Sequence, residues 1–179
     1  MKADITLVLG GARSGKSEVA ERLALGLGAP ITYVATGSAP EGDLDWAERV
    51  ERHRARRPAD WATVEVRRAA DLGSVLSSIT GGVLLDSVGT WLAGLADLGA
   101  GGGEAIGLRQ GLVARRSAGR PTIVVSEEVG LGVHPSSGAG RVFRDALGTL
   151  NRQVADTADS VLLVVAGRVL ALGGPGDDR

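Results

Sequence analysis

The chain has 179 residues, of which 44% are hydrophobic and 23% charged, with a net charge of −1 and no cysteine. Disulfides, thiolate metal sites and a cysteine nucleophile are therefore excluded, and there is no bulk electrostatic case for a nucleic-acid or membrane surface. No apolar run approaches the ~20 residues of a membrane span, and a strand pattern starts too soon after the first residue to leave room for a signal peptide, so a cytoplasmic protein of one domain, residues 1–179, is expected.

Ile5 to Leu9 is an apolar run that reads as a strand. It is followed at once by Gly10, Gly11, Ala12, Arg13, Ser14, Gly15, Lys16 and Ser17, the Gly-x-x-x-x-Gly-Lys-Ser spacing of a Walker A phosphate loop. The glycines let the backbone wrap an anion, with its N–H groups and the positive end of the next helix facing inward. Lys16 supplies a point charge for the β- and γ-phosphates, and the Ser17 hydroxyl suits Mg²⁺. The helix is predicted over Lys16–Leu27, stopped by Gly28 and Pro30. Ile31–Ala35 reads as a second strand ending at Thr36, Gly37 and Ser38, which is either a ligand-binding edge or a simple connector.

A helix is predicted from about Asp45 to Arg54, with Leu44, Ala47 and Val50 along one face and His53 at its margin. Arg49, Arg52, Arg54, Arg56 and Arg57 surround His53, and Pro58 closes the segment. The cluster reads as a solvated helix end near the negative dipole terminus, or as an anion site if a further signal supports it. Trp61–Val66 alternates as a third strand, with Glu65 at its far end. Asp71–Ile79 is a short helix with Leu72, Val75, Leu76 and Ile79 inward. Val83–Asp86 is a strand ending in a carboxylate, the Walker B pattern, whose Asp86 would bind Mg²⁺.

Ser87–Leu98 reads as a helix with Trp91, Leu92 and Leu95 inward. A Gly-rich surface loop over 99–103 and a helix over Glu104–Ala118 follow. Pro121–Ser126 is the most strand-like run and delivers Glu127 and Glu128 to another strand end, where they place a base or metal-bound water, or merely cap a loop. Residues 127–140 form a long Gly-rich loop of the kind that is usually functional or mobile. A helix over Arg141–Ala158, a buried strand over Ser160–Ala166 and a hairpin partner over Gly167–Leu172 complete the chain. The βα alternation, with strands buried on both faces, predicts an α/β P-loop NTPase (RecA-like) fold of three layers, a mainly parallel sheet flanked by helices.

Several segments together resemble the bifunctional adenosylcobinamide kinase / adenosylcobinamide-phosphate guanylyltransferase family of cobalamin biosynthesis. They are the loop Gly10–Ser17, Tyr33–Thr36, the run from Arg49 through His53 and Arg57-Pro58 to Trp61, Leu84–Asp86 with Thr90-Trp91-Leu92, Val129–Gly132, and Phe143-Arg144-Asp145 with Asn151. The resemblance implies two reactions. The hydroxyl of the aminopropanol arm of adenosylcobinamide takes a γ-phosphate from ATP or GTP. GTP then gives GMP to that phosphate through a guanylyl-histidine intermediate.

The matching histidine is His53, with Lys16 as the other catalytic residue. Nucleotide contacts are implied at the loop Gly10–Ser17, at Ala35, Thr36 and Gly37, at Arg54, Ala55, Arg56 and Arg57, and at Glu65 and Asp86. Mg²⁺ is implied at Ser17 and Asp86, and the assembly is implied to be a homotrimer. The chain departs from the family pattern at His134-Pro135-Ser136-Ser137-Gly138 and at Gly94. The rival readings are a monofunctional small-molecule kinase, with His53 structural, and a nucleotide-switched regulatory subunit.

Overall fold

In the computed structural model the described residues are 4–37, 48, 51, 54–66, 68–96 and 103–174. His53, with Arg49 and Arg52 beside it, lies outside them. The strands are β1 (Ile5–Gly10), β2 (Ile31–Ala35), β3 (Ala62–Glu65), β4 (Gly82–Asp86), β5 (Thr122–Glu127), β6 (Ser160–Val165) and β7 (Arg168–Leu172). The helices are α1 (Lys16–Leu25), α2 (Leu72–Ser78), α3 (Val88–Ala96), α4 (Gly103–Ser117) and α5 (Gly138–Ala155), and a 3₁₀ turn over Ala69–Asp71 leads into α2.

Alternation within the strands divides the core. Ile5, Leu7 and Leu9 of β1, Val83 and Leu85 of β4 and Val124 of β5 point to one face, where Leu72 and Leu76, Trp91 and Leu95, Leu108 and Leu112, and Leu147, Leu150 and Val154 cover them. Val8, Tyr33, Leu84, Ile123 and Val125 point to the other and meet Val19, Ala20 and Ala24 of α1. Each fully buried aliphatic side chain contributes roughly 1.5–3 kcal/mol, so both faces of the central strands are strongly apolar. The result is a three-layer α/β fold, with α1 on one side of the sheet and α2 to α5 on the other.

The sheet runs β3-β2-β4-β5-β1-β6-β7, parallel except for the β6–β7 pair. Register then sets the site. Ala35 is level with both Glu65 and Asp86, and Gly10 is level with Glu127, so these positions share the carboxyl edge.

Burial on both strand faces holds only for the middle of the sheet. β3, at one edge, is largely exposed, and β6 is half-buried with only Val164 fully covered, because it stands at the other margin beside the exposed β7. The hairpin itself forms as expected, turning through Ala166 and Gly167 at φ 49° and 72°. Helix α5 begins at Gly138, three residues before the predicted Arg141, because the Ser137 hydroxyl accepts the Gly140 N–H and caps it there. At its other end α1 stops at Leu25, where the Gly26 N–H turns back to the Leu23 carbonyl.

Candidate nucleotide site at the carboxyl edge of the sheet

The loop between β1 and α1 curls back on itself. Arg13 and Gly15 adopt left-handed angles, φ 57° and 89°, and the Ser14 N–H donates to the Gly11 carbonyl. Gly15 takes its angle without a Cβ penalty. Gly10 is demanded by packing, since a Cβ there would overlap the Ser14 hydroxyl and crowd the Val164 carbonyl. The Gly167 N–H donates to the Ser14 carbonyl at 2.8 Å, so the β6–β7 turn buttresses the loop from behind. Ala12 and Arg13 are exposed at its tip, and Ser17 is half-buried on the first turn of α1.

Lys16 is only 4% exposed. Its ammonium donates to the Gly11 carbonyl at 3.4 Å and stands 3.6 Å from a carboxylate oxygen of Glu127. Glu127 ends β5, and its carboxylate accepts the Ser87 hydroxyl at 3.0 Å. Ser87 belongs to a tight polar group behind the site. The Thr36 hydroxyl donates to the Ser87 carbonyl at 2.6 Å, the Ser87 N–H donates back to Thr36 Oγ1 at 3.0 Å, and Thr90 Oγ1 lies 2.9 Å from Thr36 Oγ1. Thr36 is thus held against the β4–α3 junction, while Gly37 beyond it is exposed.

Asp86 ends β4 and accepts the Tyr33 hydroxyl at 2.9 Å. Burial first, and then the neighbouring Asp86 charge, raise the Tyr33 phenol well above its usual range, so Tyr33 is a permanent donor to that carboxylate. The Arg57 guanidinium lies 3.9 Å from the centre of the Tyr33 ring and donates to Thr63 at 3.2 Å. Arg56 reaches Glu18 and Glu21 of α1 at 3.3 and 3.4 Å. Two of the arginines that follow His53 in sequence are therefore docked on the helix behind the glycine loop and on β2. Arg54 and Ala55 are exposed, and Arg54 pairs only loosely with Glu51, at 4.0 Å. Glu65 is exposed at the end of β3.

Sequence reasoning drew Lys16, Thr36 and Asp86 to one edge, and the fold puts them there. Local sequence does not choose between a base and a loop cap for Glu127, and it assigns no contact at the site to Ser87, to the Tyr33 hydroxyl or to the Gly167 turn. For Ser87 and Tyr33 the usable signal was position, one residue past a strand-end aspartate and one strand over from it. Among the described residues no three His, Cys, Asp or Glu side chains cluster to cage a metal, and no helix is long and apolar enough to cross a membrane.

Residues 6–172 match the family described as cobinamide kinase / cobinamide phosphate guanyltransferase. The chain is 38% identical to the bifunctional adenosylcobalamin biosynthesis protein CobP of Pseudomonas aeruginosa, over 94% of this chain and 96% of that one. It is 36% identical to the bifunctional adenosylcobalamin biosynthesis protein CobU of Escherichia coli, over 90% and 95% of the two chains, and 34% identical to CobU of Salmonella typhimurium over the same shares. A solved protein of Pyrococcus horikoshii OT3 shares the fold, with a TM-score of 0.58 at 8% identity, covering 98% of this chain and 89% of that one.

Proposed function

The chain belongs to the cobinamide kinase / cobinamide phosphate guanyltransferase family, and we propose that it carries both reactions on a P-loop NTPase core. It phosphorylates adenosylcobinamide with ATP or GTP, then transfers GMP from GTP to adenosylcobinamide phosphate, giving adenosylcobinamide-GDP. The observation that carries the first step is the Gly10–Ser17 loop, which stands between β1 and α1 with the buried Lys16 ammonium at its centre. One strand, β5, separates the loop strand from the Asp86 strand, so the proposed anion- and cation-handling ends lie close together on the carboxyl edge of the sheet, where open α/β sheets bind ligands.

In this reading Lys16 leaves the Gly11 carbonyl for phosphate oxygens, and the loop N–H groups neutralise the rest of the charge. Phosphoryl transfer is then mostly a matter of alignment, which the docked loop supplies. Hard oxygen donors suit Mg²⁺, which needs only one or two protein ligands beside phosphate and water. Ser17 and Asp86 fit that demand, Asp86 being steadied by Tyr33. When bound, the ion draws charge from the β- and γ-oxygens. Thr36, with Ala35 and Gly37, lines the nucleotide side of the crevice, and Glu65 offers a carboxylate for a guanine edge.

The second step is proposed at His53. Its neutral imidazole attacks the α-phosphorus of GTP, the P–N bond forms and pyrophosphate leaves. The adenosylcobinamide phosphate oxygen then displaces histidine and receives GMP, so one hard substitution becomes two easier ones. Arg54, and Arg57 after release from Tyr33, offset the growing phosphate charge. The assembly is proposed to be a homotrimer in the cytoplasm, each chain a single domain.

Incubation with α-labelled GTP tests the reading. The expected product is a protein-bound label that is acid-labile and alkali-stable, absent in His53→Ala and present in His134→Ala. A label that survives His53→Ala overturns the histidine intermediate. Cobinamide phosphorylation without any label supports a plain kinase instead.

A further inference from the structure

We propose that Glu127 is the proton acceptor of the phosphoryl-transfer step. In the nucleotide-free chain its carboxylate holds the Lys16 ammonium, and incoming phosphates displace it from that ammonium. The inference rests on the kinase reading above and names the group that completes it.

Glu127 is fixed from different parts of the chain, its backbone by sheet register and Asn151, its carboxylate by Ser87, Lys16 and Gly89. Its β5 backbone is level with Gly10, the first residue of the loop. The side-chain amide of Asn151, only 6% exposed on α5, donates to the Glu127 carbonyl at 2.9 Å, and its oxygen accepts the Ser126 hydroxyl at 2.6 Å. The Ser87 hydroxyl donates to the carboxylate, and Lys16 stands 3.6 Å away. The last restraint is steric. A Cβ built on Gly89, in the first turn of α3, would overlap Glu127 Oε2, so the carboxylate lies in space that only glycine leaves open. Glu128, the other candidate, is engaged elsewhere. Its carboxylate accepts the Gly130 N–H at 2.6 Å, and its own N–H donates to the Gly10 carbonyl.

Lys16 is the residue that meets the β- and γ-phosphates, so a carboxylate in contact with it is within reach of a hydroxyl aimed at the γ-phosphorus. The step balances without any further reagent. The substrate alcohol oxygen bonds to the γ-phosphorus, the bond from phosphorus to the β–γ bridging oxygen breaks, and the nucleoside diphosphate leaves with that electron pair. The alcohol proton passes to Glu127, which returns it to solvent. The Ser87 hydrogen bond keeps the carboxylate aimed once Lys16 has turned to phosphate.

The test separates chemistry from binding. Glu127→Gln keeps the Ser87 contact but cannot take a proton. Its kcat for adenosylcobinamide phosphorylation is expected to fall by about 10²-fold or more. Its affinity for GTP is expected to hold or tighten, since Lys16 no longer has a competing anion. Gly89→Ala moves the carboxylate through the flexible end of one side chain, and is expected to lower kcat with the thermal midpoint and KM for nucleotide kept. Glu128→Gln keeps the Gly130 N–H contact, and its kcat is expected to fall far less than that of Glu127→Gln; an equal fall in both also overturns the assignment. Wild-type kcat in Glu127→Gln, a loss confined to nucleotide affinity, or full activity in Gly89→Ala each overturns the assignment. A wild-type chain that phosphorylates no adenosylcobinamide fails at the kinase reading itself, which is a different result from an active wild type with an equally active Glu127→Gln.

Discussion

Single side chains at the carboxyl edge are set by partners far away in sequence, and their chemistry follows from those partners. Tyr33 is the plainest case. A hydrogen bond to a charged group is worth about 1.5–3 kcal/mol, and Tyr33→Phe removes the phenol donor from Asp86. The expected outcome is a higher Mg²⁺ concentration for half-maximal kinase activity, read by metal titration, with the fold retained because the ring still fills its place. Glu21 gives a pH signature. Burial raises its carboxyl above the ordinary 4.5, more than Arg56 lowers it. The folded chain therefore holds this proton more tightly than the unfolded chain does. Its contribution to stability falls as pH rises through 4.5 toward the folded value, and the ionised group is a net cost at neutral pH. Glu21→Gln is thus expected to raise the unfolding free energy at pH 7. That gain should fade below pH 4.5, as measured by denaturant melts at both pH values.

Between elements, close backbone approach does the positioning. Helices α2 and α4 meet through glycines. A Cβ on Gly73 would overlap the Gly107 carbonyl, and one on Gly111 would lie 3.1 Å from the Gly73 carbonyl. The obstacle is backbone, which cannot swing aside. Gly73→Ala is expected to destabilise by about 1–3 kcal/mol, as overpacking does, seen as a lower denaturant midpoint with unchanged slope. Beside this contact Arg115 of α4 is fully buried, with no carboxylate partner among the described residues. Its guanidinium donates to the carbonyls of Leu76, Ile79, Gly81 and Pro121 and to the Thr122 hydroxyl. It closes the carbonyl end of α2 onto the start of β5. Burial pushes its pKa down to about 10, so it stays charged at neutral pH. An arginine in an amphipathic helix reads as a surface residue, and nothing in its spacing marks this one as a strut.

For the molecule as a whole, nucleotide binding should register as stability. A ligand at 100 times its Kd adds about 2.7 kcal/mol, which for a chain of this size is a rise in Tm of roughly 5–10 °C. GTP is expected to give that shift, and Lys16→Ala to lose most of it. A GTP shift that is undiminished in Lys16→Ala would move the site away from the loop. The sequence alone determined much of this protein. Strand and helix periods, the Gly-Lys-Ser spacing after β1 and the strand-end Asp86 defined a layered α/β chain with a glycine loop after its first strand, because those features are written in local order. Tertiary structure alone decided which carboxylate meets Lys16, which arginines dock on α1 and β2, and that Arg115 is interior. Those outcomes depend on register across strands that are distant in the chain, and local spacing carries no record of that.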